Sequence, residues 1–300
     1  MHHKKLSVAF FPLTTCSGCE NAILDIWRLL SDNLTEDIID IVYSPLLTDF
    51  EEPANVDVGI VTGSLRLLED YDKLLKWRMK SKILIAFGSC SCYGGLPGLL
   101  NILNISNVLK DVYGCNKDLI SEEYDLPKLS EYIRPLHELV KIDMAVPGCP
   151  PPRKIILNLL NSLTGDAPFK LLNKSLCMEC PLNTGENKLV KDIKRFSLQP
   201  VDLNHCFLEQ GVLCLGPVTL SGCDARCIKS NTPCRGCLGP LNGIDEAAFK
   251  FLSSLASAAS YDVNNIEKLK TIRDLTGLLY RFTLPSSKLF SIKREVKNYE

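Results

Sequence analysis

The N-terminal region contains the apolar run LSVAFFPL at residues 6–13, which passes directly into TTCSGC at residues 14–19. A run of this length, closed by Thr, Ser and Gly, is typical of a buried β-strand that ends in a turn. Residues 21–30 then show helical spacing, with apolar side chains on one face. A strand, a cysteine-bearing turn and an amphipathic helix therefore follow one another, as in the first half of a strand–helix–strand unit.

The same alternation continues through the first half of the chain. Four more β-rich runs end in turn residues, at 38–43, 56–61, 83–87 and 141–146, and helical spacing appears at 65–79 and 154–163. Strands that alternate with helices, and that are apolar almost throughout, predict an α/β domain whose parallel sheet is covered on both faces. Residues 96–139 are predicted to be a long insertion that is helical in parts.

Cysteines follow the ends of three of these strands. Cys16 and Cys19 follow the first strand, Cys90 the fourth and Cys149 the fifth. Because ligands of open α/β sheets bind beyond the carboxyl ends of the strands, we expect these four thiols at one edge of the sheet. Four thiolates there can hold a 4Fe–4S cluster or a zinc ion. The alternative is that Cys90 and Cys149 are small buried apolar residues.

Charge and composition exclude several classes of protein. The chain of 300 residues has 34 Lys and Arg against 35 Asp and Glu. It therefore lacks the excess of positive charge that is typical of nucleic-acid-binding proteins. No apolar run is long enough to span a membrane, and the N-terminus lacks the features of an export signal, so we expect a cytoplasmic protein. In that compartment, 14 cysteines favour metal or redox chemistry over disulfides.

The segment from 170 to 240 is rich in cysteine and poor in core-forming residues. Its eight cysteines are Cys177, Cys180, Cys206, Cys214, Cys223, Cys227, Cys234 and Cys237. A segment with so few apolar runs needs cross-links, which bound metal supplies. Two zinc ions would also use eight thiols. The C-x2-C-P spacing at 177–181 resembles that of ferredoxins, however, and favours iron–sulfur clusters over zinc. Cys92 and Cys115 remain outside these groups.

Five motifs, in order, resemble the small, electron-transfer subunit of NiFe hydrogenases. They are CSGCE at 16–20, GSCSCYGG at 88–95, PGCPP at 147–151, LCLGPVT at 213–219 and PCRGCLGP at 233–240. The resemblance implies a flavodoxin-like parallel-sheet domain at residues 1–165, followed by an irregular iron–sulfur domain with two clusters at 166–242. Beyond the motifs, helical spacing predicts a helical C-terminal extension at residues 243–300.

The resemblance also implies three 4Fe–4S clusters and their ligands. The proximal set is Cys16, Cys19, Cys90 and Cys149; the distal set is Cys177, Cys180, Cys206 and Cys214; the medial set is Cys223, Cys227, Cys234 and Cys237. Many members of the family have a histidine at the first distal position and only three medial cysteines. Cys177 and the added Cys227 depart from that pattern, which implies four thiolates for each of these clusters.

These two departures are similar to methyl-viologen-reducing hydrogenases and to the delta type of sulfhydrogenase. The resemblance implies a chain that carries electrons between the NiFe centre of a large-subunit partner and a low-potential acceptor subunit, which contains flavin or iron–sulfur. No catalytic residue is expected on this chain. Two alternatives remain open: a zinc-stabilised interaction scaffold, and a related quinone-reductase-type electron-transfer subunit. The latter shares the proximal site but has one cluster and adjacent cysteines.

Overall fold

The computed structural model describes residues 5–30, 39–48, 51–114, 126–165, 167–185, 190, 193, 201–258, 272 and 274–290. These residues form two compact units. The first contains the described residues up to 169 together with 282–286, and the second contains those from 170 to 281 together with 287–290. Every helix in this described part of the chain is too short or too polar to cross a membrane.

The first unit contains a sheet of parallel strands. The strands are β1 (Leu6–Pro12), β2 (Ile39–Tyr43), β3 (Val56–Thr62), β4 (Ser81–Phe87) and β5 (Met144–Val146), in the order β2-β1-β3-β4-β5. Each neighbouring pair is parallel. This is the strand order of the flavodoxin-like fold, whose ligand site lies where the order reverses, beside β1 and β3. The predicted α/β class with a parallel sheet is therefore confirmed.

Helices connect these strands. They are α1 (Gly18–Leu30), α2 (Glu69–Lys80), α3 (Ser89–Tyr93), α4 (Ile105–Tyr113) and α5 (Arg153–Leu163), with 3-10 turns at Leu96–Ile102, Leu136–Glu138 and Leu284–Ser286. Helix α2 begins four residues later than the predicted Leu65. The reason is that Ser64 and Leu67 form antiparallel bridges with Thr14 and Leu129, which keep this stretch extended.

The core of the first unit surrounds the sheet. Three successive residues of β1, Ala9, Phe10 and Phe11, are all buried, so both faces of this strand are covered, as its continuous apolar sequence predicts. On one face the Phe11 ring stacks on the Trp77 ring of α2, with the centroids 4.8 Å apart. Aromatic pairs of this kind add about 0.5–1.5 kcal/mol to the contribution of buried area. The sheet is thus a rigid base for the loops at its ends.

The second unit contains short helices and loops. Its helices are α6 (Arg226–Lys229), α7 (Ala247–Ala258) and α8 (Leu275–Leu279), with 3-10 turns at Leu176–Glu179 and Gly216–Val218. One apolar cluster packs Phe251 of α7 against Leu213, Leu215 and Val218. A second cluster gathers apolar side chains around Phe207 and includes two cysteines. Of the helical extension predicted at residues 243–300, the described residues form helices α7 and α8, and residues 259–271, 273 and 291–300 lie outside them.

Candidate metal centres

Backbone hydrogen bonds continue past the strand ends of the first unit and fix the loops that carry its cysteines. After β1, the Leu13 amide donates to the Thr62 carbonyl at 2.9 Å. After β4, the Gly88 amide donates to Val146 and the Ser89 amide to Gly148, both at 2.8 Å. The loops after β1, β3, β4 and β5 therefore extend the order of the sheet, and they bring distant parts of the sequence to one edge.

Helix α3 is a single short turn that presents Cys90. Its Ser91 hydroxyl is buried, and the oxygen lies 2.9 Å from the Val61 carbonyl and 2.8 Å from the Gly63 carbonyl. Gly88 and Gly94, which flank the helix, have φ of 93° and 86°, a region that favours glycine. The sharp entry and exit that these glycines allow place the cysteine at the edge of the sheet.

Bare glycine backbone lies against the sulfur atoms of the proximal set. A Cβ added at Gly88 would overlap the Cys19 sulfur, and one added at Gly95 would lie 2.6 Å from the Cys90 sulfur. A Cβ on Gly18 would stand 3.4 Å from the Cys16 sulfur. Such cradles admit a bulky sulfur-bound group close to the main chain, so the residues present fit a thiolate-bound cluster.

The electrostatics show that the four proximal thiols interact. Burial raises the pKa of Cys90 to about 11, and the charges of Cys149 and Cys16 contribute. Burial raises the pKa of Cys19 further still, with contributions from the other three thiols. Cys16 and Cys149 are exposed, whereas Cys19 and Cys90 are half-buried. Because metals bind the thiolate, these thiols need a neighbouring positive charge to ionise, and bound iron would supply it.

The distal set gathers in the second unit around Gly216. A Cβ on this glycine would lie 3.2 Å from the Cys177 sulfur and 3.7 Å from the Cys214 sulfur. Burial raises the pKa of Cys214 to about 11; hydrogen bonds from the Gly216 and Cys234 amides oppose that rise, and the charges of Cys206 and Cys180 add to it. Cys214 therefore lies near the other three thiols that the resemblance assigns to this set, and also near Cys234 of the medial set.

The medial set forms two interacting pairs, Cys223 with Cys227 and Cys234 with Cys237. Arg235 interacts electrostatically with one thiol of each pair, Cys227 and Cys234. Burial lowers the pKa of its guanidinium, whereas the charges of Cys214, Cys234 and Cys227 raise it. The Gly236 amide donates to the Cys234 sulfur at 3.4 Å. The sulfur atoms thus have backbone donors and a cation close by.

Other acidic and thiol groups lie near these sets. In the described residues, no three His, Cys, Asp or Glu side chains form a ready site for a single metal ion. Cys92 is a core thiol, 3% exposed, whose sulfur donates to the Ala86 carbonyl, and Cys115 lies outside the described residues. Glu20 is buried and accepts a hydrogen bond from the Thr62 hydroxyl.

Sequence reasoning missed Glu179, which lies inside the C-x2-C motif. Its side chain binds three backbone amides of the loop that carries Cys223. No local pattern signals this role, because the amides lie 43 to 45 residues further along the chain.

The fold and these sites define a class of protein: a flavodoxin-like domain whose thiols lie at one sheet edge, followed by a cysteine-rich unit. A family described as "NADH ubiquinone oxidoreductase, 20 Kd subunit" matches residues 16–163. A vhu-type F420-non-reducing hydrogenase subunit of Methanocaldococcus jannaschii is 38% identical over 287 residues, 94% of this chain and 96% of the relative. The iron-sulfur subunit of the F420-non-reducing hydrogenase of Archaeoglobus profundus is 29% identical, over 94% of this chain and 97% of its own.

Solved structures agree with these relatives. A chain of an NAD+-reducing NiFe hydrogenase is 30% identical, with a TM-score of 0.50 over 56% of this chain and 97% of its own. A chain of the NiFeSe hydrogenase from Desulfovibrio vulgaris Hildenborough shares the fold, at 16% identity and a TM-score of 0.51, over 82% of this chain and 96% of its own. The chain belongs to the small-subunit family of NiFe hydrogenases. It is a hydrogenase subunit.

Proposed function

We propose that this chain carries electrons between the NiFe centre of a large-subunit partner and a low-potential acceptor subunit, through three 4Fe–4S clusters. The observation that supports the proposal is that the thiols interact in groups: the four proximal thiols, Cys214 with the other distal thiols, and the medial thiols in two pairs. When bound, a 4Fe–4S cluster supplies a site that accepts and releases one electron at a time. The residues of this chain hold the clusters and set the charge and hydrogen bonding around them.

The proximal cluster is assigned to Cys16, Cys19, Cys90 and Cys149. All four follow the carboxyl ends of sheet strands, and their loops are fixed by backbone hydrogen bonds. Cys16 and Cys149 are exposed in this chain alone. We place the large subunit over this edge, since a cluster that exchanges electrons with the partner's NiFe centre must lie near it and away from water.

The distal cluster is assigned to Cys177, Cys180, Cys206 and Cys214, and the medial cluster to Cys223, Cys227, Cys234 and Cys237. Each of these two sets has four thiols, so no histidine is needed as a ligand. The backbone amides that donate to the sulfurs of Cys214 and Cys234 favour the reduced clusters, because hydrogen bonds to sulfur offset negative charge.

The second partner that we propose is an acceptor subunit containing flavin or iron–sulfur. The support is the family: full-length relatives include subunits of F420-non-reducing hydrogenases, and a shorter match is a chain of an NAD+-reducing enzyme. We propose the cytoplasm as the compartment. A reducing compartment keeps cysteines available as cluster ligands, the role that we assign to twelve cysteines of this chain.

Metal analysis of the complex tests the proposal. The chain is co-expressed with its large subunit, purified without oxygen, and assayed for iron, labile sulfide and zinc. We expect about twelve iron and about twelve sulfide per chain, since each 4Fe–4S cluster contributes four of each. Zinc in place of iron would overturn the proposal in favour of a scaffold. Iron and sulfide near four per chain would leave a single cluster, as in the quinone-reductase type.

A further inference from the structure

One carboxylate oxygen binds three consecutive backbone amides in the second unit. Glu179 Oε1 accepts hydrogen bonds from the amides of Gly222 at 2.9 Å, Cys223 at 3.1 Å and Asp224 at 2.9 Å. Three donors that converge on one oxygen form an anion-binding concavity of the kind made by successive amides in a turn. Here the anion is a side chain of the same protein.

The backbone of this loop has an unusual conformation. The φ angles are 117° at Gly222, 62° at Asp224 and 51° at Ala225. Residues other than glycine rarely adopt this left-handed region, and they keep it only where the surroundings hold them there. Glu179 helps to hold this conformation, because it binds the amides of Gly222, Cys223 and Asp224.

The conformation of the loop also shapes the surroundings of the Cys223 sulfur. The next two amides, those of Ala225 and Arg226, donate hydrogen bonds to this sulfur. One side of the loop is thus bound to Glu179, while the other side wraps the sulfur. If the loop relaxed, the sulfur would lose both its position and its two donors.

Glu179 itself lies in the 3-10 turn Leu176–Glu179, directly between Cys177 and Cys180 of the distal set. Its side chain therefore joins the loop that carries two distal thiols to the loop that carries the first medial thiol. Its negative charge lies close to Cys223, because Glu179 Oε1 is 3.1 Å from the backbone nitrogen of that residue.

We propose that Glu179 is the positioning residue for the medial cluster: it holds Cys223 in place from the distal loop and sets the charge beside its sulfur. This inference rests on the proposed function and deepens it. Two substitutions separate the parts of the role. Glu179→Gln keeps an oxygen that accepts the three amides but removes the charge, whereas Glu179→Ala removes both.

Glu246 provides a matched control. Its carboxylate also accepts three hydrogen bonds in the second unit, from the Ser287 hydroxyl at 2.9 Å, the Leu289 amide at 3.1 Å and the Tyr280 hydroxyl at 3.1 Å. None of these donors belongs to a cysteine loop. Glu246→Ala therefore removes a half-buried anchor of the same size without touching a thiol.

The experiment uses the complex with the large subunit and measures iron per chain and cluster potentials by EPR-monitored redox titration. We expect Glu179→Ala to lose about a third of the iron, since one of three clusters fails to form. We expect Glu179→Gln to keep its iron and to raise the potential of one cluster, because a negative charge beside it is gone. Glu246→Ala should keep its iron and its potentials and should unfold at a lower temperature.

Several outcomes separate this inference from the proposed function. Full iron and unshifted potentials in Glu179→Ala would overturn it, while an iron-free wild-type complex would instead overturn the proposed function. If Glu179→Ala does not fold, Glu179→Gln decides alone, and an unshifted potential with full iron is then the contrary result. Loss of the same third of the iron in Glu179→Gln also supports the inference. The neutral Gln side chain accepts weaker hydrogen bonds from the backbone amides than a carboxylate does.

Discussion

The backbone amide of Cys234 donates a hydrogen bond of 3.2 Å to the sulfur of Cys214. This bond joins a residue of the medial set to a residue of the distal set, and both residues are buried. The two sets therefore adjoin, and a change at one thiol alters the hydrogen bonding and charge at the other. If each set holds a cluster, as we propose, this contact couples the two clusters electrostatically.

Replacing Cys214 by serine tests that coupling. The variant loses a thiolate of the distal set and the sulfur that accepts the Cys234 amide, so we expect it to lose about a third of the iron of the complex. The medial cluster should remain, with a shifted potential. Iron analysis and EPR-monitored titration measure both effects. Cys92→Ser is the control, because Cys92 is equally buried but belongs to none of the three sets; if it lost as much iron, the loss in Cys214→Ser would reflect unfolding instead.

The sequence predicted the sheet well because its signal is local. The strands are apolar almost throughout, and the predicted Val56–Val61 and the observed Val56–Thr62 differ by one residue. The predicted strand at 141–146 is shorter in the structure, where β5 begins at Met144. The predicted start of α2 at Leu65 was wrong. The residues before Glu69 are held by the bridge between Leu67 and Leu129, which are far apart in the sequence. A spacing rule over a short window contains no information about such a partner.

The candidate sites were less predictable than the sheet. The expectation of four thiols at one sheet edge required only the strand order and the positions of the cysteines. Dividing the other eight into two sets depended on resemblance, since their loops have no regular period. The contact between Glu179 and the Cys223 loop could not be predicted from the sequence, because it depends on irregular backbone such as the left-handed Asp224.

Gly88→Ala tests the cradle at the proximal set. The φ of Gly88 is 93°, and a Cβ there would overlap the Cys19 sulfur. Gly165→Ala is a close control, with a φ of 94° and nothing within 4 Å of its added Cβ. Both variants should lose about 1–2 kcal/mol of stability from backbone strain. Only Gly88→Ala should also lose about a third of the iron. Equal iron in the two variants would mean that the cradle is not needed.

The Asp57 carboxylate stabilises the start of the sheet in a way that depends on pH. Hydrogen bonds donated by the Lys82 ammonium and by the Ser7 amide and hydroxyl lower the pKa of Asp57 to about 2. A lowered carboxyl pKa stabilises the fold above the unfolded value near 4, and this contribution is lost as the pH falls from about 4 towards 2. Asp57→Asn should therefore cost about 1 kcal/mol, equally at pH 6 and pH 8.

Thermal unfolding at both pH values measures the effect of Asp57→Asn. Asp245→Asn serves as the control, because Asp245 pairs with Lys288 where both side chains are mostly exposed, and such pairs contribute little. A loss of stability in Asp57→Asn that changed between pH 6 and pH 8 would contradict the assignment, since the carboxylate is fully ionised throughout that range.

The guanidinium of Arg235 should raise the potentials of the clusters in the second unit. It is half-buried, and it interacts with the charges of Cys214, Cys234 and Cys227. A cation in a site of low polarity favours the more negative, reduced state of a cluster. Arg235→Met should therefore lower at least one cluster potential with iron content unchanged. Arg235→Lys keeps the positive charge, so its cluster potentials should stay close to those of the wild type. Lys250→Met removes an exposed cation from α7 and should leave all potentials unchanged. Equal potentials in Arg235→Met and the wild type would contradict this role and leave the charge of the clusters to solvent and to the neighbouring Arg281.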